Sequence, residues 1–356
     1  MLIVALAGLW SGLWYYGAGV AERTIEGWKA REAQSGRTYT CASQEIGGFP
    51  FGINIRCAEA AAELTSMRPA LAVKSNGLLI SASVLQPTVL RSEVIGPVTV
   101  AEPGHAPHIA ARWRHAQTQL QGLPTSPEKI TIALQEPVVE VVPGQDLFKA
   151  SRVDVTGRML SGTVRDNPVI EVTLKLAAAA APYWHSAAAT PTDADMVFVL
   201  RGLKDFAPKP WPARFRELQA ANGRIEVTSA RVQQGDTIAV ADGVLGLSPS
   251  GRLDGRLRLT VANLEKILPA LGLDRLLAQQ AQPNRLNEAI GALDRLVPGL
   301  GNVARQNAGP AIVAGIAMMG QPTELEGRRA VILPLRFKDG MVTLGALPVG
   351  LVPPLF

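Results

Sequence analysis

The chain has 356 residues, a formal net charge of +5, 47% hydrophobic residues and 18% charged ones. That composition supplies ample apolar material for one large β-rich domain or two ordinary ones. The basic excess is spread out with no block of like charges, which argues against a nucleic-acid partner and favours anionic surfaces such as phospholipid headgroups.

The first element is "LIVALAGLWSGLWYYGAGVA", Leu2 to Ala21, which carries no charge. Its length suits a helix crossing a hydrocarbon core of about 30 Å. Trp10, Trp14, Tyr15 and Tyr16 crowd its second half as an aromatic belt does at a membrane interface. Residues 1–21 are thus expected to be a transmembrane anchor and 22–35 a helical juxtamembrane linker. A cleaved signal peptide is the competing reading, since "GVA" before Glu22 loosely fits a cleavage site. No basic residue precedes the segment, while Arg23, Lys29, Arg31 and Arg37 follow it. Taken alone, the positive-inside rule puts the bulk of the chain in the cytoplasm. A true start further upstream, carrying a basic region, would reverse that orientation.

Both cysteines fall in "CASQEIGGFPFGINIRC", residues 41–57. Gly47, Gly48 and Pro50 read as a turn between two strands, and Phe51, Ile53, Ile55 and Cys57 alternate onto one face. Cys41 and Cys57 are expected to face each other across this hairpin at disulfide distance. The alternative is two unpaired buried thiols. A disulfide belongs to the periplasm or the cell exterior. Together with the β-rich pattern, it outweighs the charge bias at the anchor and points to an exported domain over residues 36–356.

From residue 36 to about 260 the pattern is a series of strands. Segments 77–90, 94–103, 108–123, 129–143, 148–160, 168–177 and 194–203 alternate or run apolar, punctuated by Gly, Pro, Asn and Asp. Residues 177–195 read as an irregular crossing or a short helix. "PARFRELQAANG" (212–223) reads as a helix with Pro212 early and Gly223 as its stop. Three more strands follow, at 223–234, 236–249 and 251–264. In the third, Leu253, Leu257, Leu259 and Val261 lie on one face, opposite Arg252, Asp254, Arg256, Arg258 and Thr260. Residues 263–319 turn helical in period, with Asn263 and Asn284 as caps. A hairpin at 327–347 closes the series. The expected fold is mainly β (α+β): a long antiparallel curved sheet, trough or partly open barrel. It carries an N-terminal transmembrane helix and a small helical segment near the C-terminus.

Three stretches carry a resemblance. "GGFPFGINIRC" (47–57), "GRLDGRLRLTVANLEKIL" (251–268) and "FKDGMVTLGALPVGLVPPLF" (337–356) resemble elements of a Gram-negative bacterial family, domain of unknown function 2125. The middle stretch is also similar to an element of AsmA-like envelope proteins. The first resemblance implies a β protein anchored in the inner membrane by one helix, facing the periplasm and of unknown activity. The second implies a β trough that carries lipid between membranes.

No catalytic constellation stands out. Gly-x-Ser-x-Gly, phosphate-loop and dinucleotide-binding patterns are absent from the sequence. His105, His108 and His115 lie close together, but Pro103 and Pro107 break any helix that would pair them on a metal. "HIAARWRH" alternates as one strand, with His115 on the face of Ile109, Ala111 and Trp113 and His108 facing away. His185 reads as a loop residue, Asp193 and Asp195 as solvated strand-start residues, and the glycines of "GVLGLSPSG" (243–251) as turns. Trp113, Trp184 and Trp211 are expected in the core, the alternative being that they line a groove or anchor at an interface.

The expected function is a non-enzymatic one, without metal or cofactor: binding phospholipid or another apolar ligand at the Leu253, Leu257, Leu259 and Val261 face. The competing expectation is a structural scaffold for envelope proteins.

Overall fold

The structure is a computed structural model that describes residues 1–124, 126–142, 144–184, 186–207, 209–263, 320–345 and 347–356. The predicted helical insertion over 263–319 lies outside the described residues except for Asn263, and so does His185. The chain divides into two compact units. The first holds Met1–Asp166 with Thr173–Trp184, and the second Asn167–Val172 with His185–Phe356. The fold is mainly β with antiparallel pairing, as the strand series predicts.

The first unit opens with α1 (Leu2–Gln34), one continuous helix of 33 residues with no buried residue. The predicted anchor and linker are therefore a single rod of about 50 Å at 1.5 Å per residue. It leads into β1 (Arg37–Thr40), β2 (Ser43–Gly47), β3 (Gly52–Ala58), β4 (Ala61–Leu64), β5 (Leu71–Ser83) and β6 (Gln86–Ala101). Next come β7 (Ile109–Arg112), β8 (His115–Gln121), β9 (Lys129–Gln135), β10 (Val138–Val141), β11 (Gln145–Lys149) and β12 (Arg152–Thr163).

Two long strands, β5 and β6, organise this unit. β5 pairs with β3 along one half of its length and with β4 along the other. β6 divides its far edge between β8 and β7 in the same way. The pairs β1/β2, β3/β4, β7/β8, β9/β10 and β11/β12 are thus broken strands, and their breaks line up. A crease runs through Cys41–Ala42, Glu59–Ala60, Asn76, Gly96, Trp113–Arg114, Glu136–Pro137 and Ala150–Ser151. Hydrogen bonds stitch it together: Ala42 N–H to Ala58 O, Glu59 N–H to Asn76 O, Arg114 N–H to Gln135 O and Glu136 N–H to Ser151 O. Glu59 and Glu136 take positive φ there (47° and 51°), the local kink that an interrupted ladder needs.

The strand pairing corrects two expectations. "HIAARWRH" is not one strand. The Trp113 indole lies against Gly96 and donates to Val94 O at 2.9 Å, so the ladder ends at Arg112 and restarts at His115. Segment 77–90 also turns at Val84–Leu85, where β5 passes into β6.

β13 (Asp166–Ala179) contributes to both units. The second unit continues with a 3-10 turn (Ser186–Ala189), β14 (Thr192–Arg201), α2 (Trp211–Ala220), β15 (Arg224–Gln234), β16 (Thr237–Leu247) and β17 (Leu253–Ala262). It ends with β18 (Gln321–Leu325), β19 (Arg328–Lys338), β20 (Met341–Leu344) and β21 (Leu347–Leu351). Pairing runs β14–β15–β16–β17–β19, with β18 and β20 both on β19 and β21 on β20. A core cluster lies where β16, β17 and β19 meet. Ile238, Ala262 and Ala330 form a sealed cluster, and Leu333 is 1% exposed.

Candidate functional site

The disulfide between Cys41 and Cys57 is present, with a Cα–Cα distance of 5.3 Å. Its geometry corrects the expected hairpin. Cys57 pairs across the ladder with Gln44, not with Cys41. "RTYTCAS" does not run as one arm, because β1 pairs with β4 and leaves Cys41 on the crease. The bond therefore ties the end of β1 to β3 across that break.

The aromatic residues of α1 do more than line a helix. Trp10 Nε1–H donates to Pro50 O at 3.0 Å and Trp14 Nε1–H to Gly52 O at 2.7 Å. Trp14 also meets Phe49 edge to face, with ring centroids 5.6 Å apart. The helix is thus fixed to the tip of the β2–β3 hairpin, while Tyr15 and Tyr16 stay exposed.

The four predicted ligand-face residues divide by surroundings. Leu253 lies beneath α2 beside Phe215, Leu218 and Leu355. Leu257 and Leu259 are half-buried between strands, opposite Leu335 and Leu333. Val261 is sealed, at 3% exposure.

Of the four, Leu257 lines a cleft of about 580 Å³ along β16, β17 and β19, whose wall is mostly apolar. Ile332, Pro334 and Leu335 also line it, together with Arg256, Arg258 and Arg336. Arg258 is engaged by Asp242 through Nε and Nη2, at 3.0 and 2.9 Å. Arg256 and Arg336 stand directly opposite each other across the β17–β19 ladder. Neither has a hydrogen-bond or ion-pair partner among the described residues. Like charges in directly opposed positions destabilise a sheet pair unless an anion lies between them. Sequence alternation sets Arg256 on the face opposite Leu257; the strand order that brings Arg336 beside it joins segments about eighty residues apart.

Two polar networks are structural. Ser248 Oγ–H donates to Asp339 Oδ1 at 2.7 Å and Ser250 binds the same carboxylate. These hydroxyls hold the Asp339 carboxyl below the usual carboxylate range. They lock the 248–251 turn to the "KDG" turn of the closing hairpin. Before α2, Lys209 bridges Asp205 and Glu217, and Arg214 binds the same two carboxylates.

The other candidates disperse. His115 Nδ1 lies 3.2 Å from Glu93 Oε1, and His105 Nδ1 lies 3.2 Å from Pro103 O. No group of three metal-ligating side chains forms among the described residues. Asp193 and Asp195 lie beside Arg231, which also pairs with Glu326 at 2.7 Å. Trp184 and Trp211 are exposed, at 73% and 69%, which corrects their expected place in the core. Trp184 follows Tyr183 in a turn, and Trp211 opens α2 and stacks on Phe215.

α1 is long and apolar enough to cross a membrane and fits a single-pass anchor. No curated protein and no solved structure matches the chain. The family model described as an uncharacterized protein conserved in bacteria, DUF2125, matches residues 14–353. That span takes in the hairpin tip, both cysteines, the cleft strands and the Asp339 turn, and the chain belongs to the bacterial family DUF2125.

Proposed function

We propose that the chain is an inner-membrane-anchored, non-enzymatic protein of the bacterial envelope. Its β units stand in the periplasm, and it binds an anionic lipid in the cleft of β16, β17 and β19. One observation carries the reading: Arg256 and Arg336 are opposed, without a partner among the described residues, in a mostly apolar cleft of about 580 Å³. That combination suits a molecule with a negative headgroup and a hydrocarbon body. The exposed apolar surface of α1 supports anchoring. The Cys41–Cys57 disulfide supports an oxidising compartment. The likeness of residues 251–268 to AsmA-like proteins fits a role in moving or holding lipid.

The test is native mass spectrometry of the full chain released from its own membranes in mild detergent. A bound phospholipid with a phosphatidylglycerol-type or cardiolipin-type headgroup supports the reading, and a lipid-free protein overturns it. A scaffold for envelope proteins is the second reading. It is favoured by the exposed Tyr183, Trp184 and Trp211, which offer aromatic contact area to a partner.

A further inference from the structure

The hydrogen bonds from α1 to the β2–β3 hairpin fix a level along the helix. Trp10 and Trp14 hold the carbonyl oxygens of Pro50 and Gly52, and Ile53 Cδ1 lies beside Gly17. The neighbouring β5–β6 hairpin sits at the same level, because Val84 N–H donates to Phe51 O at 2.9 Å. If Leu2–Ala21 were wholly immersed in hydrocarbon, both turns would lie near mid-bilayer. Exposed non-helical backbone is not tolerated there, since its N–H and C=O groups find no partners in lipid.

The same turns are too apolar for open water. Phe49 is 52% exposed, Phe51 67%, Val84 44% and Leu85 82%. Of these four, Val84 lines an apolar furrow of about 300 Å³ between α1 and the two hairpins, together with Trp10, Leu13, Trp14, Ile53 and Pro87. Indole and phenol rings favour the headgroup level, where one end of the ring is wet and the other apolar. The first charged residues of α1 come only at Glu22 and Arg23. They lie about 12 Å beyond Trp14 along the helix, on the water side of such a boundary.

We propose that the membrane interface crosses α1 at Trp10–Tyr16, so that Leu2–Trp10 enters the hydrocarbon by about 12 Å and Leu2–Ala21 does not cross its full thickness of about 30 Å, and that the tips of the β2–β3 and β5–β6 hairpins dip into the interface beside the helix. The bilayer surface is then a second docking partner of the first unit, through Phe49, Phe51, Val84 and Leu85. The far end of the unit is held clear. Thr65 N–H bonds Gly36 O just past the end of α1, about 30 Å along the helix from Trp14. α1 and these tips thus fix the unit to the membrane at several points, where a lone helix would leave it free to swivel. The inference is independent of any ligand in the second unit.

The test uses the full chain in vesicles of phosphatidylethanolamine and phosphatidylglycerol with brominated acyl chains. A fluorescent amino acid is placed singly at Phe51, Leu85, Met67 or Leu6, all exposed positions. The expected result is strong quenching at positions 6, 51 and 85 and none at 67. Quenching at 6 without quenching at 51 and 85 would overturn the proposal, because the helix would then insert with the hairpins in water. Quenching at 67 as well would also overturn it, because the tips would then not be the depth limit.

Discussion

The indole nitrogen of Trp14 lies 2.7 Å from the carbonyl oxygen of Gly52, joining the candidate membrane helix to a β-hairpin thirty-eight residues later in the chain. With the Trp10–Pro50 bond, this contact fixes a rod that buries none of its own residues to the sheet of the first unit. Each neutral hydrogen bond contributes about 0.5–1.5 kcal/mol. The double variant W10F/W14F removes both donors and keeps an aromatic ring at each position. Amide exchange of residues 43–58 in detergent should rise by about tenfold or more, as expected for a loss of about 1.4 kcal/mol or more. Exchange in β14–β17 should not change.

Reduction of the disulfide should loosen the same region. Cross-linking a loop of this size stabilises by about 3 kcal/mol in the chain-entropy model. C41S/C57S is therefore expected to lower the thermal midpoint of the first unit and to speed proteolysis between β1 and β4. Intact mass of the untreated protein should show both thiols absent. Two alkylatable thiols in protein from the native membrane would contradict both the bond and the oxidising compartment.

Gly340 has φ of +80°, and a Cβ there would meet Val352 O at 2.6 Å. A β-branched residue suffers both the strained backbone and the clash. G340V should destabilise by about 1–3 kcal/mol or more, read as a lower urea midpoint.

The Asp339 turn should also be acid-sensitive. Ser250 and Ser248 hold the folded carboxyl below its ordinary value. The charged form is favoured in the folded state, so the stabilisation is present above the unfolded pKa of about 3.9. It is lost as pH falls through the lower folded value. D339N should remove this dependence: the wild-type and variant midpoints should differ at neutral pH and converge in strong acid.

Much of the fold was legible in the sequence for simple reasons. Alternation at 51–57 and 251–262 is period-two patterning on a half-buried sheet, and the structure keeps both stretches as strands. α2 began one residue before Pro212, as a proline in the first turn allows. The crease was not legible. "HIAARWRH" carries no Gly or Pro at its break, and only the approach of Trp113 to Gly96 from the neighbouring strand ends the ladder. Cys41 likewise falls in a break, between β1 and β2, so that Cys57 pairs with Gln44 in its place. The arginine pair was invisible for a different reason. Arg256 and Arg336 become neighbours only because β17 pairs with β19, and no local pattern encodes a partner that distant. Alternation set Arg256 opposite the Leu257 face and gave no sign that it meets a second arginine, also without a partner among the described residues.

Charge reversal at that pair is the most direct measurement. The full-length R256E/R336E variant, wild type and R91E, at a half-buried arginine of the other unit, would be purified from the same membranes and compared by native mass spectrometry. Wild type and R91E should retain a bound anionic phospholipid at near one-to-one ratio, and R256E/R336E should lose it while keeping the Cys41–Cys57 disulfide mass. Equal lipid in all three, or none in wild type, would contradict the cleft as a lipid site.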